Sequence, residues 1–177
     1  MQYAHGGDIY TYKNLLDFSI NVNPLGPADA VVEAAARSLQ RIGEYPDSQS
    51  RELRNALAEK KGLAAEQFVI GNGAADLLFS LVLAEKPQKA MIVIPAFSEY
   101  EQALKTVGCE ILYHEVKKEN NFRLGTDLTE KITSELDFLF LCSPSNPAGQ
   151  AVEKEFLIKI AEKCEKERVR LVLDECF

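Results

Sequence analysis

Phe68-Val69-Ile70-Gly71-Asn72-Gly73-Ala74-Ala75-Asp76-Leu77-Leu78-Phe79 is the stretch on which the fold turns. A short apolar run meets a Gly-Asn-Gly turn. Beyond the turn, Leu77, Leu78, Leu81 and Val82 recur at helical spacing. The sequence therefore predicts a strand over 68–70, a tight turn, and a helix to about residue 84. A turn of this kind aims the free N–H groups of a new helix at one point, and the positive end of the helix dipole favours an anion there. Gly73, Ala74 and Ala75 carry almost no side chain, so a phosphate could rest on their backbone. A plain strand-to-helix turn with no ligand explains the same residues, because Gly-rich turns are common.

Outward from this stretch the texture differs on its two sides. Residues 1–26 show no strong periodicity and read as an extended arm, ended by the turn cluster Asn23-Pro24-Leu25-Gly26-Pro27. Helices are expected over 28–41, with Val32, Ala35, Ala36 and Leu39 on one face, and over 50–60, with Leu53, Ala56 and Leu57 inward. Between them lies Tyr45-Pro46-Asp47-Ser48, a loop ending in capping residues.

After Gly62, strand-like runs alternate with helical patterns. Strands are expected over 90–94, 110–116, 137–142 and 169–173, and helices over 98–107, 127–132 and 153–166. The last of these helices should bury Phe156, Leu157, Ile160, Ala161 and Cys164. Such alternation predicts an α/β fold of three αβα layers around a mostly parallel sheet. Residues 1–47 form the arm, first helix and loop in this reading, and 48–177 belong to the large sheet domain.

Composition narrows the function classes. The 177 residues carry a net charge of −7 and are 46% hydrophobic, enough for a proper core. The acidic balance argues against nucleic acid. Lys and Arg alternate with Glu on helix faces, as a solvated surface does. No apolar run is long enough for a bilayer span, and the polar N-terminus does not read as a signal peptide. The expectation is a cytoplasmic protein with no membrane partner. The four cysteines, Cys109, Cys142, Cys164 and Cys176, form no CxxC pair and have no His at metal spacing. No metal is expected.

Ligands of parallel sheets sit outside the carboxyl ends of the strands. Phe97 follows one strand and could stack on a flat ring. Asn146, between Pro144 and Pro147, follows another and could donate to a ligand oxygen. Asp174 closes the last strand, where an ionised carboxylate needs a cation or donors. Each alone has an ordinary explanation: a core aromatic, a turn former, a cap. A carboxylate, an aromatic plane, an amide and a phosphate cradle on one sheet edge together describe a planar, phosphorylated, basic heterocycle. Pyridoxal 5′-phosphate is such a molecule.

At this point the chain resembles a known family. Asn-Pro-Leu-Gly-Pro at 23–27, Tyr-Pro-Asp at 45–47, Gly-Asn-Gly-Ala at 71–74, Pro-x-Phe-x-x-Tyr at 95–100, Ser-Asn-Pro-x-Gly at 145–149 and Asp-Glu-x-Phe at 174–177 are together similar to fold type I pyridoxal-phosphate enzymes. These belong to the class I/II aminotransferase superfamily. Within it the chain looks like the branch of histidinol-phosphate aminotransferases and threonine-phosphate decarboxylases. The resemblance implies that Gly73, Ala74 and Ala75 hold the cofactor phosphate. It also implies that Phe97 stacks on the ring, Asn146 bonds the phenolic oxygen, and Asp174 keeps the ring nitrogen protonated. Tyr45 would reach the cofactor of a partner subunit in a homodimer.

His5-Gly6-Gly7 and Leu16-Asp17-Phe18-Ser19-x-Asn21 resemble the decarboxylases of cobalamin synthesis. The implied substrate is L-threonine O-3-phosphate, a small phosphorylated amino acid, with His5 and Asn21 lining its phosphate pocket. Ser145 and Ala148 depart from the commoner Asn-Asn-Pro-Thr-Gly loop, but Asn146 is kept.

The catalytic Lys of the family lies in a Ser-x-x-Lys segment some tens of residues beyond the position of Asp174. The chain is thus expected to be a piece of a protein about twice as long, truncated before the small domain and inactive by itself. Three rival readings stay open: a histidinol-phosphate or related aminotransferase, a dinucleotide-binding module, and a non-catalytic binding fragment. The dinucleotide reading fits poorly, because Asp76 stands where a third glycine should be.

Overall fold

The computed structural model describes residues 6–13 and 15–177. The chain divides into two compact units, one up to Phe68 and one from Val69 to Phe177.

In the first unit, α1 (Asp29–Ser38) runs into a 3-10 turn over Leu39–Arg41, and α2 spans Arg51–Lys61. Both helices form where the periodicity places them. Neither buries a residue: Val32 and Leu53 are about half exposed, and Ala56 is exposed as well. Of the face expected inward on α2, Leu57 is half-buried, whereas Leu53 and Ala56 are exposed. Ahead of these helices the arm folds back on itself. The Gly7 N–H donates to Ser19 Oγ at 2.9 Å. A Cβ on Gly6 would stand 2.3 Å from the Ser19 carbonyl oxygen, so only glycine fits there.

The second unit begins with α3 (Ala74–Glu85), followed by β1 (Lys89–Ile94), α4 (Ser98–Thr106) and β2 (Glu110–Glu115). It continues with the short α5 (Leu128–Lys131), β3 (Phe138–Cys142), α6 (Lys154–Glu167) and β4 (Arg170–Asp174). All pairings are parallel, in the order β2-β1-β3-β4. Strand alternation sends side chains to opposite faces, and each face has its own core. Ala90, Ile92, Phe138 and Phe140 meet Leu78 and Val82 of α3 and Tyr100, Ala103 and Leu104 of α4. Met91, Leu139 and Leu141 meet Leu128 of α5 and Ile160 and Cys164 of α6 on the other side. β3 is buried over its whole length, as an apolar strand between two helical layers must be. The three-layer αβα reading holds.

Two further expectations fail. Residues 68–70 are not a strand: Phe68 is extended, with φ −108° and ψ 129°, but the segment joins no sheet among the described residues. Val69 is 77% exposed. β propensity and an extended backbone do not suffice where no neighbouring strand takes up the N–H and C=O groups. On α6, Ala161 is exposed, while Phe156 and Leu157 are half-buried at the margin of the core.

The strand order fixes where a ligand belongs. From β1 the chain moves through α4 to β2 on one side. It then returns through α5 to β3 on the other side of β1. α4 and α6 cover opposite faces. The carboxyl ends of β1 and β3 thus flank a topological switch point, where a crevice opens in such sheets.

Candidate functional site

Asp174 ends β4 at this carboxyl edge, half-buried. Its partner is Tyr100, whose hydroxyl donates to Asp174 Oδ2 at 2.5 Å. Tyr100 comes from the first turn of α4 and is 1% exposed. Its ring stacks on Phe140 of β3, with centroids 5.3 Å apart. Burial, then the bond to the Asp174 carboxylate, pushes the Tyr100 phenol far above its ordinary range, so it stays protonated and donates.

Phe97 caps the start of α4 and meets Tyr100 edge-to-face, centroids 5.9 Å apart. One chain of contacts therefore links Phe97, after β1, through Tyr100 to Asp174, the last residue of β4. Phe97 is partly buried against the core of this face. Its ring belongs to the packing and also borders the edge.

The loop after β3 is tied down by its backbone. The Ser143 N–H donates to the Asp174 carbonyl at 2.9 Å, and Ser143 Oγ accepts from the Val152 N–H at 3.0 Å. The Gly149 N–H donates to the Ser145 carbonyl and the Ser145 N–H to that of Gln150, closing a compact turn around Asn146. Asn146 is half-buried beside the switch point, and the Asn146–Pro147 peptide is cis.

Gly73 is the N-cap of α3, at φ 86° and ψ 170°. Only glycine adopts this backbone readily. A Cβ there would meet nothing within 4 Å, so the space beside the helix start is open. Ala74 and Ala75 begin the helix, and its first closing bond runs from the Leu77 N–H to the Gly73 carbonyl. The acid in this first turn, Asp76, accepts from the Asn72 N–H at 2.8 Å and so fastens the turn. The C-terminal end of α3 lies at the opposite edge of the sheet. There Glu85 pairs with Arg170 at the start of β4, 3.2 Å away. Twelve helical residues span about 18 Å, and α3 lies on the sheet through Leu78 and Val82. Its N-terminus therefore reaches back to the carboxyl edge. The turn is not the end of a strand, as the sequence suggests, but it arrives at the same edge by way of the helix.

These residues suit a planar, phosphorylated base: an open helix N-terminus without side chains, an aromatic, an amide loop and a donor-held carboxylate. Tyr100 and Cys176 carry no role in the sequence reading. A buried tyrosine must place its hydroxyl, and the Phe97-x-x-Tyr100 spacing puts both rings on one helix face; that signal points to Tyr100. The Cys176 thiol is pushed up to about 11 by burial and then by the Asp174 carboxylate.

The remaining predicted residues belong to the first unit. Tyr45 is fully exposed, between the 3-10 turn and α2. Asn21 is exposed too. His5 lies outside the described residues. The groove nearest to the two motifs of the expected substrate pocket does not include Asn21 among its lining residues. Gly6, Gly7, Asp17 and Ser19 line this open groove of about 510 Å³ together with Tyr12 and Phe18.

The threonine-phosphate decarboxylase of Salmonella typhimurium is 38% identical over 182 residues, covering 98% of this chain and 50% of the relative. The histidinol-phosphate aminotransferase of Methanococcoides burtonii is 35% identical over 154 residues, covering 84% and 42%. The crystal structure of the histidinol-phosphate aminotransferase of Clostridium acetobutylicum superposes with a TM-score of 0.79 at 28% identity, over 92% of this chain and 48% of that one. The chain spans about half the length of the curated relatives it matches. Residues 13–177 match the model of aminotransferase class I and II, and the chain belongs to that family.

Proposed function

We propose that the protein decarboxylates L-threonine O-3-phosphate to aminopropanol phosphate, with pyridoxal 5′-phosphate as cofactor, as a step of cobalamin biosynthesis. The observation that carries the cofactor part is Asp174, held by Tyr100 at the carboxyl edge, on the face that also carries Phe97. What supports the substrate is the 38% identity to a threonine-phosphate decarboxylase over nearly the whole chain.

When bound, the cofactor supplies an electron sink for the carbon that loses a substituent. The protein's part is to set the charge and the geometry. Asp174 faces the ring nitrogen and holds a proton there, and Tyr100 fixes the carboxylate in that orientation. Phe97 covers one face of the ring. Asn146 donates its amide to the phenolic oxygen. The N–H groups at Gly73, Ala74 and Ala75 receive the phosphate, helped by the α3 dipole. His5 and Asn21 would hold the distal phosphate of the substrate and so orient it toward the cofactor. The protein works as a cytoplasmic homodimer in which Tyr45 reaches the partner's cofactor phosphate. The lysine that carries the cofactor comes from a segment following Asp174.

A second reading, amino transfer from histidinol phosphate, is favoured by the 35% identity to such an aminotransferase. Full-length protein assayed with both substrates separates the two. Carbon dioxide release from threonine phosphate without amino transfer from histidinol phosphate is the expected result. The reverse pattern replaces the first reading by the second.

A further inference from the structure

Cys142 closes β3, Asp174 closes β4, and the two are register partners across the parallel pair. Both follow the alternation of Phe138, Phe140 and Val172, so both leave the sheet on the face of α3 and α4. Cys176 stands two residues beyond Asp174, and an extended chain returns its side chain to that side. As a result Cys142 Sγ, a carboxylate oxygen of Asp174 and Cys176 Sγ all lie within 4.8 Å of one another.

We propose that these three residues form a site for a thiophilic divalent cation of the zinc class, which competes with the cofactor's ring nitrogen for Asp174. The competition rests on the function proposed above; the metal binding does not.

Two thiolates and a carboxylate match the donor preference of zinc, whereas magnesium and calcium take oxygen ligands. Zn–S bonds of about 2.3 Å in a tetrahedral site put two sulfurs about 3.8 Å apart. The two sulfurs need to approach by about an ångström at most, and Cys176 lies in the exposed segment past β4, free of the ladder. Three protein ligands leave the fourth position to water, as in open zinc sites. The Tyr100 hydroxyl supplies the outer support that metal-bound carboxylates ordinarily have. Each thiol gives its proton to solvent as its sulfur takes the metal, and nothing is oxidised or reduced. The other cysteines sit apart: Cys109 belongs to the core of this face, and Cys164 sits on α6, in the core of the opposite one.

The test is a titration with cobalt(II) of protein kept in a phosphine reductant without pyridoxal phosphate, followed by displacement with zinc. One cobalt per chain should bind with a sulfur-to-metal charge-transfer band. Cys176→Ser should weaken binding by more than about a hundredfold, beyond what loss of an outer-shell partner costs. Cys164→Ala should leave the band in place. Absence of the band in protein that is folded by circular dichroism overturns the site. So does equal affinity in the Cys176→Ser protein. Pyridoxal phosphate affinity is then compared with and without zinc. Metal at the thiols with unchanged cofactor affinity overturns the competition and leaves the site standing. A failed cobalt titration leaves the cofactor reading untouched.

Discussion

The Tyr100 hydroxyl lies 2.5 Å from Asp174 Oδ2, across 74 residues of sequence. The first turn of α4 is thereby tied to the end of β4, and the acid on which the site depends has one fixed direction. Tyr100→Phe keeps the stacking on Phe140 and removes only this bond. A hydrogen bond to a charged group is worth about 1.5–3 kcal/mol. Because Asp174 keeps some water contact, urea unfolding should show a loss of about 1–2 kcal/mol. Cofactor affinity should fall with it.

Gly73 is the second point of leverage. At φ 86° and ψ 170° an alanine is strained by about 1–3 kcal/mol, although its Cβ would touch nothing. Gly73→Ala should therefore destabilise the unit through the backbone and also place a methyl where the phosphate sits. Isothermal titration should show weakened binding of pyridoxal phosphate and of inorganic phosphate together. Binding unchanged in this variant would move the phosphate away from the α3 N-terminus.

The alternation of the strands was legible in sequence because it rests on local periodicity: β1, β2, β3 and β4 form within a residue or so of expectation. The strand expected over 68–70 was not, because a strand is completed by a neighbour, and sequence pattern carries no information on which edge is free. The inward face expected for α2 is only partly covered for a similar reason, with Leu57 half-buried and Leu53 and Ala56 exposed: amphipathic spacing names a face and not its cover. In the site, Phe97, Asn146 and Asp174 could be named because each follows a strand. The Tyr100–Asp174 bond and the approach of Cys142 to Cys176 are tertiary juxtapositions, visible only once the strand order is known.

Packing offers a direct contrast between the two units. Leu139 is fully buried between β1 and β4, and Leu139→Ala should cost about 2–5 kcal/mol by deletion and cavity together. Val32 on α1 is 51% exposed, and Val32→Ala should stay within about 0.5 kcal/mol. Paired chemical denaturation measures both.

His114 on β2 is a buried titrating group away from the site, 3% exposed. Lys131 Nζ lies 3.1 Å from its Nδ1, and an ammonium can only donate. Nδ1 is therefore the acceptor and the proton is on Nε2, facing Asp127 at 3.9 Å. Burial, then Lys131, lowers the His114 pKa from its ordinary value, with Asp127 opposing. The unfolded chain thus binds this proton more readily than the folded one. The stability is whole above the unfolded pKa of about 6.5 and is lost as pH falls through that value toward the lower folded one. His114→Gln should flatten the decline of stability between about pH 7 and 5, followed by thermal melts across that range.

The central claim is that Asp174 holds the ring nitrogen of pyridoxal phosphate, and a crystal structure of the full-length protein with cofactor bound tests it most directly. The expected result is an Asp174 carboxylate oxygen about 2.7–2.9 Å from the ring nitrogen, with the Tyr100 hydroxyl still on Oδ2 and the phosphate at the Gly73 turn. A ring nitrogen facing any other side chain, or a phosphate bound away from the start of α3, would contradict it.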